Sequence, residues 1–442
     1  MRIQKNKFIL FIICGALLSG ACGFKSSTEE RVQASVPPAE PLASDASAAD
    51  NTLRFLENRI RSDPEDFSAH NKLAGIYLQK LRETGDVAFL DLAFRSARAS
   101  LDSVPDAANS GGLAALVQAE FAAHEFAAAR DHAVRLTELE PGKSYPQGML
   151  GDALLELGEY DRAAAAYKKM AQIDKGISPN SEMKLARLAQ LKGDNAGAQK
   201  HFTAALTLIL DLTAPPRETV AWLRWQLGET DFSTGDYETA EKHFRDSLTT
   251  FPDYHRAVAS LGKVRAANND LQGAIEQYEK AVRLLPDPQF VAALGDLYLL
   301  VGREEDAKKQ YELVEQIARL GELNGALFNR QLALFYADHD IKTEEAYKLA
   351  AKEYETRRDI YGADALAWTA LKAGKLNEAQ TAIKEALQLG TQDAKLFYHA
   401  GMIANARGEE TAASGLIKRA LELNPQFDPR QSAIARTLLE NR

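Results

Sequence analysis

One pattern of small residues recurs through most of this chain and constrains its fold more than any other feature. Alanine returns at intervals of 33 to 42 residues, and six of these alanines have glycine five positions earlier. An aromatic residue or isoleucine follows seven of them by four positions. Self-similarity at such a period is typical of repeat architectures. The ten alanines are Ala93, Ala129, Ala163, Ala198, Ala240, Ala274, Ala307, Ala346, Ala379 and Ala413.

Each repeat predicts a pair of antiparallel α-helices. Glycine ends the first helix because it accepts the left-handed conformation found at helix C-termini. Small residues let the two helices approach closely, and the aromatic residue fills the groove toward the next pair. Proline twelve positions after the alanine blocks continuation of the second helix. Because one pair cannot bury its apolar face alone, neighbouring pairs are expected to stack into a superhelix with a continuous core.

The pattern resembles the tetratricopeptide repeat (TPR) from Phe67 to Asp428. The resemblance implies an all-α fold, a superhelical solenoid of about ten helix-turn-helix repeats spanning residues 67–428. Capping helices are expected at 52–66 and 429–442, because such arrays need polar ends. In one repeat the residues that match the family pattern are Gly228, Tyr237, Ala240, Phe244 and Pro252.

The two longest intervals predict irregular repeats. The 42-residue interval contains Thr213-Ala-Pro-Pro216, and the helix before it is expected to overrun through Leu212. The 39-residue interval has Asp338-His339-Asp340 where glycine is expected, which favours a bend or a joint there.

The first twenty-two residues have the organisation of an export signal. Arg2, Lys5 and Lys7 precede an apolar core, Phe8 to Leu18, that is too short to span a membrane as a mature helix. Small residues then lead to Cys22, so the segment resembles a bacterial lipoprotein signal. The usual leucine lies three residues before the cysteine, whereas here it lies four before. The alternative is an ordinary secretory signal with an incidental cysteine.

The lipoprotein resemblance implies that residues 1–21 are removed and that Cys22 carries the lipid. Gly23 is not the aspartate associated with retention in the inner membrane, so the resemblance implies an outer-membrane anchor facing the periplasm. In an organism with a single membrane, the anchor would lie on the outer face of the cytoplasmic membrane. Residues 22–51 are rich in Ser, Ala, Pro and acidic residues, which predicts a disordered tether.

Composition argues against several classes of function. The net charge of −9 disfavours a nucleic-acid binder, which needs basic clusters. The two cysteines, Cys14 and Cys22, both lie in the signal region, so the folded body has no disulfide framework, cysteine nucleophile or cysteine metal site. No phosphate-binding loop, zinc-protease motif or serine-hydrolase motif occurs. We therefore expect no catalytic residue, metal or cofactor; an enzyme or small-ligand receptor using Asp338–Asp340 is a distant alternative.

The TPR resemblance also predicts a partner-binding groove. In the family, the first helix of each pair lines the inner groove with its second, fifth, ninth and twelfth positions. This register places all three tryptophans in the groove, and tryptophan and tyrosine are enriched at binding hot spots. The competing interpretation is that these aromatic residues pack between helices. The predicted groove residues are Trp222, Trp225, Glu229, Arg256, Lys263, Tyr361, Asp364, Trp368, Tyr398 and Asn405.

These features predict a non-enzymatic, membrane-anchored TPR scaffold that binds proteins or peptide segments of the bacterial cell envelope. By analogy of architecture, it would assist assembly of an envelope, secretion or pilus complex. The alternative within the binding class is a regulator of peptidoglycan synthesis or hydrolysis.

Overall fold

The computed structural model describes residues 35–42, 46–323 and 329–441, and this part of the chain is helical without a β-strand. A short 3-10 turn lies at Asp106–Ala108. The α-helices of these residues are, in chain order, α1 (Ala46–Ser62), α2 (Phe67–Thr84), α3 (Ala88–Ser103), α4 (Ser110–Ala122), α5 (Phe126–Leu139), α6 (Tyr145–Glu156), α7 (Tyr160–Asp174), α8 (Pro179–Leu191), α9 (Asn195–Leu210), α10 (Arg217–Ser233), α11 (Tyr237–Thr250), α12 (His255–Ala267), α13 (Leu271–Leu284), α14 (Pro288–Leu300), α15 (Glu304–Leu323), α16 (Asn329–Asp338), α17 (Thr343–Thr356), α18 (Ile360–Lys372), α19 (Leu376–Ala386), α20 (Ala394–Ala406), α21 (Glu410–Leu423) and α22 (Gln431–Glu440).

The helices form a series of antiparallel pairs, from α2 with α3 to α20 with α21. The two helices of each pair pack on each other, and each second helix also packs on the first helix of the next pair. At the two ends, α1 packs on α2 and α22 packs on α21. This arrangement confirms the predicted all-α solenoid fold with its helix-turn-helix repeats.

The turn inside each pair follows the predicted chemistry. The six glycines expected to end first helices all have φ between 72° and 79°. Three other turns place His124, Asn269 and Asp340 in the left-handed region instead, with φ of 61°, 62° and 54°. The repeats without glycine therefore keep the left-handed turn, and the Asp338–Asp340 segment forms it between α16 and α17.

Small residues bring the paired helices together. A Cβ atom added to Gly228 would lie 2.5 Å from Cε1 of Phe244, whose ring is fully buried. The same added atom on Gly262 would lie 2.7 Å from the ring of Tyr278. Because neither ring has space to retreat, glycine at this step permits the close approach that the repeat pattern predicted.

Successive turns of the superhelix touch each other. The backbone N–H of Arg358 donates to the carbonyl of Glu156 at 2.7 Å, which joins the α17–α18 connection to the end of α6. The Thr391 hydroxyl donates to the Leu191 carbonyl at 2.5 Å. The Asn424 side chain donates to the carbonyl of Phe232 at 2.7 Å. The consecutive pairs α6–α7, α8–α9 and α10–α11 are thus hydrogen-bonded to the segments that follow α17, α19 and α21.

A buried ionic network lies at the first of these contacts. Arg357 Nε lies 2.5 Å from Glu156 Oε2 and 3.1 Å from Asp359 Oδ2, and Arg330 bridges Glu353 and Asp359 at 3.0 and 3.2 Å. Burial raises the pKa of Glu156. Burial alone would also raise the pKa of Asp359, but the charges of Arg330 and Arg357 outweigh it and hold that pKa below its ordinary value. Opposite charges therefore compensate each other where the two turns meet.

The N-terminal boundary differs from the prediction. Helix α1 begins at Ala46, six residues before the predicted cap at 52, and Leu56 buries its side chain against the first pair. Residues 35–42, inside the predicted 22–51 tether, pack against the repeat array instead of lying free. A few well-placed apolar side chains supply this packing, although the segment as a whole has low hydrophobicity. The signal and Cys22 lie outside the described residues.

Among the described helices, none combines the length and the apolar character required to cross a membrane.

Candidate functional site

Helices α10 and α12, the first helices of two consecutive pairs, bring several predicted groove residues together. The Trp225 indole N–H donates to Ser260 Oγ at 2.9 Å, and the Ser260 hydroxyl donates to Glu229 Oε1 at 2.6 Å. Lys263 Nζ donates to Glu229 Oε2 at 2.8 Å. The Arg256 guanidinium lies over the Trp225 ring, 5.4 Å from its centroid. We call these five residues the α10–α12 surface.

The α10–α12 surface remains partly open to solvent. The side chains of Lys263 and Glu229 are 35% and 24% exposed, and Arg256 is exposed. Burial lowers the pKa of the adjacent His255 to about 4, with the positive charge of Arg256 as a smaller cause, so this ring is neutral at pH 7. An indole face, two cations and one carboxylate held together by hydrogen bonds suit recognition of a polypeptide.

Trp222 lies apart from this group. Its ring packs edge-to-face on Phe202 of α9, with centroids 5.9 Å apart and an interplanar angle of 80°. It belongs to a hydrophobic cluster that also includes Val36 and Leu42 of the N-terminal segment. The chain itself therefore covers part of the ring that was predicted to face a partner.

The structure places two other predicted groove residues, Trp368 and Tyr398, in the core, which corrects their predicted role. They are 2% and 1% exposed. The Trp368 ring stacks on His399 at a centroid distance of 4.2 Å, and its N–H donates to Asp338 Oδ1 at 2.8 Å. The physical reason is that the half-buried Asp338 carboxylate satisfies the indole N–H, so the ring can be enclosed without loss of a hydrogen bond.

Asp364 is also removed from any partner surface. It is 6% exposed and accepts a hydrogen bond from Nδ1 of the fully buried His399 at 2.8 Å. Tyr361 is half-buried beneath the Arg187 guanidinium of α8, which belongs to the preceding superhelical turn. Asn405 is half-buried near the end of α20. The predicted α18 and α20 residues therefore do not assemble into one accessible surface.

The C-terminal segment explains part of this burial. The Phe427 ring lies 5.4 Å from the Tyr398 ring, and Gln431 Nε2 donates to Asp338 Oδ1 at 2.8 Å. Arg430 donates to Asp296 of α14 at 2.8 Å. Ala435 is fully buried in the cluster that contains Trp368. The predicted cap thus reaches beyond the last pair and covers residues of α18 and α20.

The Asp338–Asp340 segment is engaged in structural bonds. His339 Nε2 and the Tyr311 hydroxyl both bond to Asp296 Oδ1, at 2.8 and 2.7 Å. Asp338 is held by Trp368, Lys395 and Gln431. Within the described ranges, no group of three or more His, Cys, Asp or Glu side chains is placed to hold a metal ion.

Sequence reasoning missed two residues of this region. Ser260 links Trp225 to Glu229, but it stands among small residues of α12 without a distinguishing pattern. Arg224 is 1% exposed although it is charged. A signal for Arg224 was present: it lies four residues after Val220 and three before Leu227, a position where helical periodicity calls for an apolar residue.

Comparisons with known proteins agree with this architecture. Family models described as tetratricopeptide repeat match residues 178–253 and, separately, 114–180, 226–288 and 365–426, together more than half of the chain. A "TPR repeat-containing protein YpiA" of Bacillus subtilis (strain 168) is 27% identical over 267 residues. That match covers 58% of this chain, and the chain spans 57% of the relative's length.

Two solved structures are similar to the chain at low sequence identity. A tetratricopeptide repeat protein from Parabacteroides merdae ATCC 43184 is 16% identical with a TM-score of 0.32, covering 59% of this chain and 97% of its own. Yeast Tom70 is 14% identical with a TM-score of 0.36, covering 90% of this chain and 97% of its own. On its repeat pattern, its helix pairs and the matching family models, this chain belongs to the tetratricopeptide repeat family, whose repeats typically form protein-interaction scaffolds.

Proposed function

We propose that this protein is a lipid-anchored scaffold that binds protein partners in the bacterial cell envelope and assists assembly of an envelope, secretion or pilus complex. The observation that carries the proposal is the order of the chain: a lipoprotein-like signal ending in Cys22, followed by a TPR array. Two or three acyl chains on one cysteine give firm membrane attachment, since each buried methylene contributes about 0.8 kcal/mol. The array would then work next to a membrane surface, with the outer membrane as its proposed site.

The α10–α12 surface is the proposed contact for an extended segment or helix of a partner. Trp225 offers an aromatic face, and its indole N–H is already oriented by Ser260. Lys263 and Glu229 form an ion pair beside it, so the surface offers both a positive and a negative group to charged side chains of a partner. These side chains are already ordered by their mutual hydrogen bonds, so less rotamer entropy is lost on association, which favours binding.

Fatty-acid labelling tests the anchor. In cells grown with a labelled fatty acid, the wild-type protein is expected to incorporate label, and Cys22→Ala is expected to incorporate none. Cys14→Ala is the matched control and is expected to keep the label, because Cys14 leaves with the signal. Unlabelled wild-type protein, or loss of label in Cys14→Ala alone, would reject the lipid anchor at Cys22.

Crosslinking in intact cells tests the binding surface. Proteins crosslinked to the wild-type chain are expected to be recovered at least about tenfold less with Trp225→Ala/Lys263→Ala, because loss of a central aromatic hot spot costs about 2 kcal/mol or more. Recovery is quantified by mass spectrometry. Arg283→Ala is the control, since that side chain is 69% exposed on α13 away from the surface. Equal recovery by both variants would remove the α10–α12 surface from the proposal.

A further inference from the structure

Residues 35–42, with the sequence SVPPAEPL, lie against the repeat array and are bonded to it through their backbone. Proline fixes its own φ, and it also restricts the residue before it to extended conformations. Val36 and Pro37 each precede a proline, so this part of the segment favours an extended backbone. The segment therefore lies on the array in the manner of a bound extended peptide.

Arg224 of α10 holds the centre of this segment. Its Nη1 donates to the carbonyl of Pro37 at 3.0 Å and its Nη2 donates to the carbonyl of Pro38 at 2.7 Å. Both acceptors are main-chain oxygens, which any peptide supplies. The two nitrogens of one planar guanidinium thus grip two consecutive peptide groups.

The burial of Arg224 makes these two bonds important. The residue is 1% exposed, and its Nε has no hydrogen-bond partner among the described residues. Burial lowers the pKa of the guanidinium, and the negative charge of Asp246 offsets only part of this effect. A buried cation that loses its acceptors is strongly destabilising. The carbonyls of Pro37 and Pro38 therefore stabilise the buried charge of Arg224. If residues 35–42 left the site, the Arg224 guanidinium would need other hydrogen-bond acceptors.

Apolar contacts flank the Arg224 bonds. Val36 and Leu42, six residues apart, both pack on a cluster built from α8, α9 and α10. Trp222 and Met183 are among the partly buried members of that cluster. The six-residue spacing between Val36 and Leu42 therefore defines the length of a matching ligand. Such a ligand places one aliphatic side chain before the proline pair and one after it.

We propose that this groove, defined by Arg224, Trp222 and Met183, is a second peptide-binding site, and that residues 35–42 are its built-in occupant. Its ligand class is an extended peptide with a proline pair between two aliphatic residues. A partner segment of this chemistry binds by replacing residues 35–42. Because the built-in occupant is tethered, its effective concentration at the site is in the millimolar range. A competing peptide of equal affinity therefore binds only when its own concentration exceeds this effective concentration.

This site is separate from the α10–α12 surface and does not require the lipid at Cys22. The inference shares with the proposed function only the premise that the array binds polypeptides. Absence of the fatty-acid label or of crosslinked partners would not contradict peptide binding at the Arg224 groove. Conversely, failure of the peptide experiment below would leave the anchored scaffold in place.

Binding of the isolated segment tests the inference. A fluorescein-labelled peptide, SVPPAEPL, is titrated into the full-length protein in detergent micelles and followed by fluorescence anisotropy. Val36→Asp/Leu42→Asp, which releases the built-in segment, is expected to bind the peptide at least tenfold more tightly than wild type. Adding Arg224→Lys to that variant is expected to weaken binding at least tenfold, because an ammonium cannot grip two carbonyls as a planar fork does. Arg283→Ala, whose side chain is 69% exposed on α13 and belongs to neither surface, is the control and is expected to leave binding unchanged.

A second measurement keeps the wild-type chain intact. The side chains of Val36 and Leu42, which are half-buried against the array, are labelled by hydroxyl radicals with and without saturating unlabelled peptide, and the labelling is quantified by mass spectrometry. Displacement is expected to increase the labelling of these two side chains at least about twofold while leaving α11 and α13 unchanged. The proposal is overturned if the folded Val36→Asp/Leu42→Asp variant fails to bind the peptide, if Arg224→Lys binds as well as its parent, or if the labelling of Val36 and Leu42 does not respond.

Discussion

Replacing Trp368 by alanine is expected to lower the free energy of unfolding by about 4 kcal/mol, because buried Trp→Ala changes cost roughly 3–5 kcal/mol. The side chain is 2% exposed, stacks on the ring of His399 and donates to Asp338. Its removal leaves a cavity beside a fully buried histidine whose Nε2 has no hydrogen-bond partner among the described residues. Urea denaturation followed by circular dichroism measures the loss.

The conservative variant Trp368→Phe provides the control for this prediction. It keeps an aromatic ring on His399 and loses the indole N–H, so its cost is expected to be clearly smaller, of order 1–2 kcal/mol. If Trp368 were instead a groove residue, Trp368→Ala would reduce crosslinking of partners and leave the urea midpoint in place. That combination of results would contradict the burial of this side chain.

Replacing Arg357 by alanine is expected to cost about 3 kcal/mol of stability. Removal of one partner of a buried ion pair leaves the other charge uncompensated, which typically costs 3–5 kcal/mol. Arg357 lies between Glu156 of α6 and Asp359 at the start of α18, so its loss leaves Glu156 without its cation, whereas Asp359 keeps its ion pair with Arg330. The low end of that range applies because the Arg357 side chain is 24% exposed.

Local and global measurements separate the causes of this loss. Hydrogen exchange at the Arg358 amide, which donates to the Glu156 carbonyl, is expected to accelerate in Arg357→Ala as the superhelical turns part. Arg283→Ala removes an arginine from an exposed pair on a helix face and is expected to cost less than about 0.5 kcal/mol. A loss in Arg357→Ala no greater than in Arg283→Ala would show that the network does not bind the turns together.

The helix pairs were predictable because their causes are local. Gly228 and Phe244 lie within one repeat, and a fixed offset in sequence places them in contact. The left-handed turn at Gly158 likewise depends on one residue. The contact of Gly158 with a later turn was not predictable, although a Cβ there would lie 2.6 Å from the Arg358 carbonyl. That contact depends on small rotations between repeats that add up along the array.

The candidate site was predictable only in part. Helical register predicted that Trp225, Glu229 and Lys263 face one groove, and in the structure they lie close together because neighbouring first helices repeat the same positions; that they bind a partner stays a prediction. The same register failed for Trp368, since its environment is set by Asp338 and His399 on other helices. The packing of residues 35–42 was also not predictable, because it depends on Arg224 and on an apolar cluster that both lie far along the chain.

The contacts between superhelical turns change how such an array should fold. An open solenoid has only neighbour contacts and can fold or fray from either end, one repeat at a time. Here, bonds join residues 192 to 201 positions apart, and each closes a long loop before it yields any stabilisation. Folding rates fall as the mean sequence separation of contacts rises. The two halves of this array should therefore reach the native state late and together, and the N-terminal repeats should gain their full protection only after the C-terminal repeats have been made.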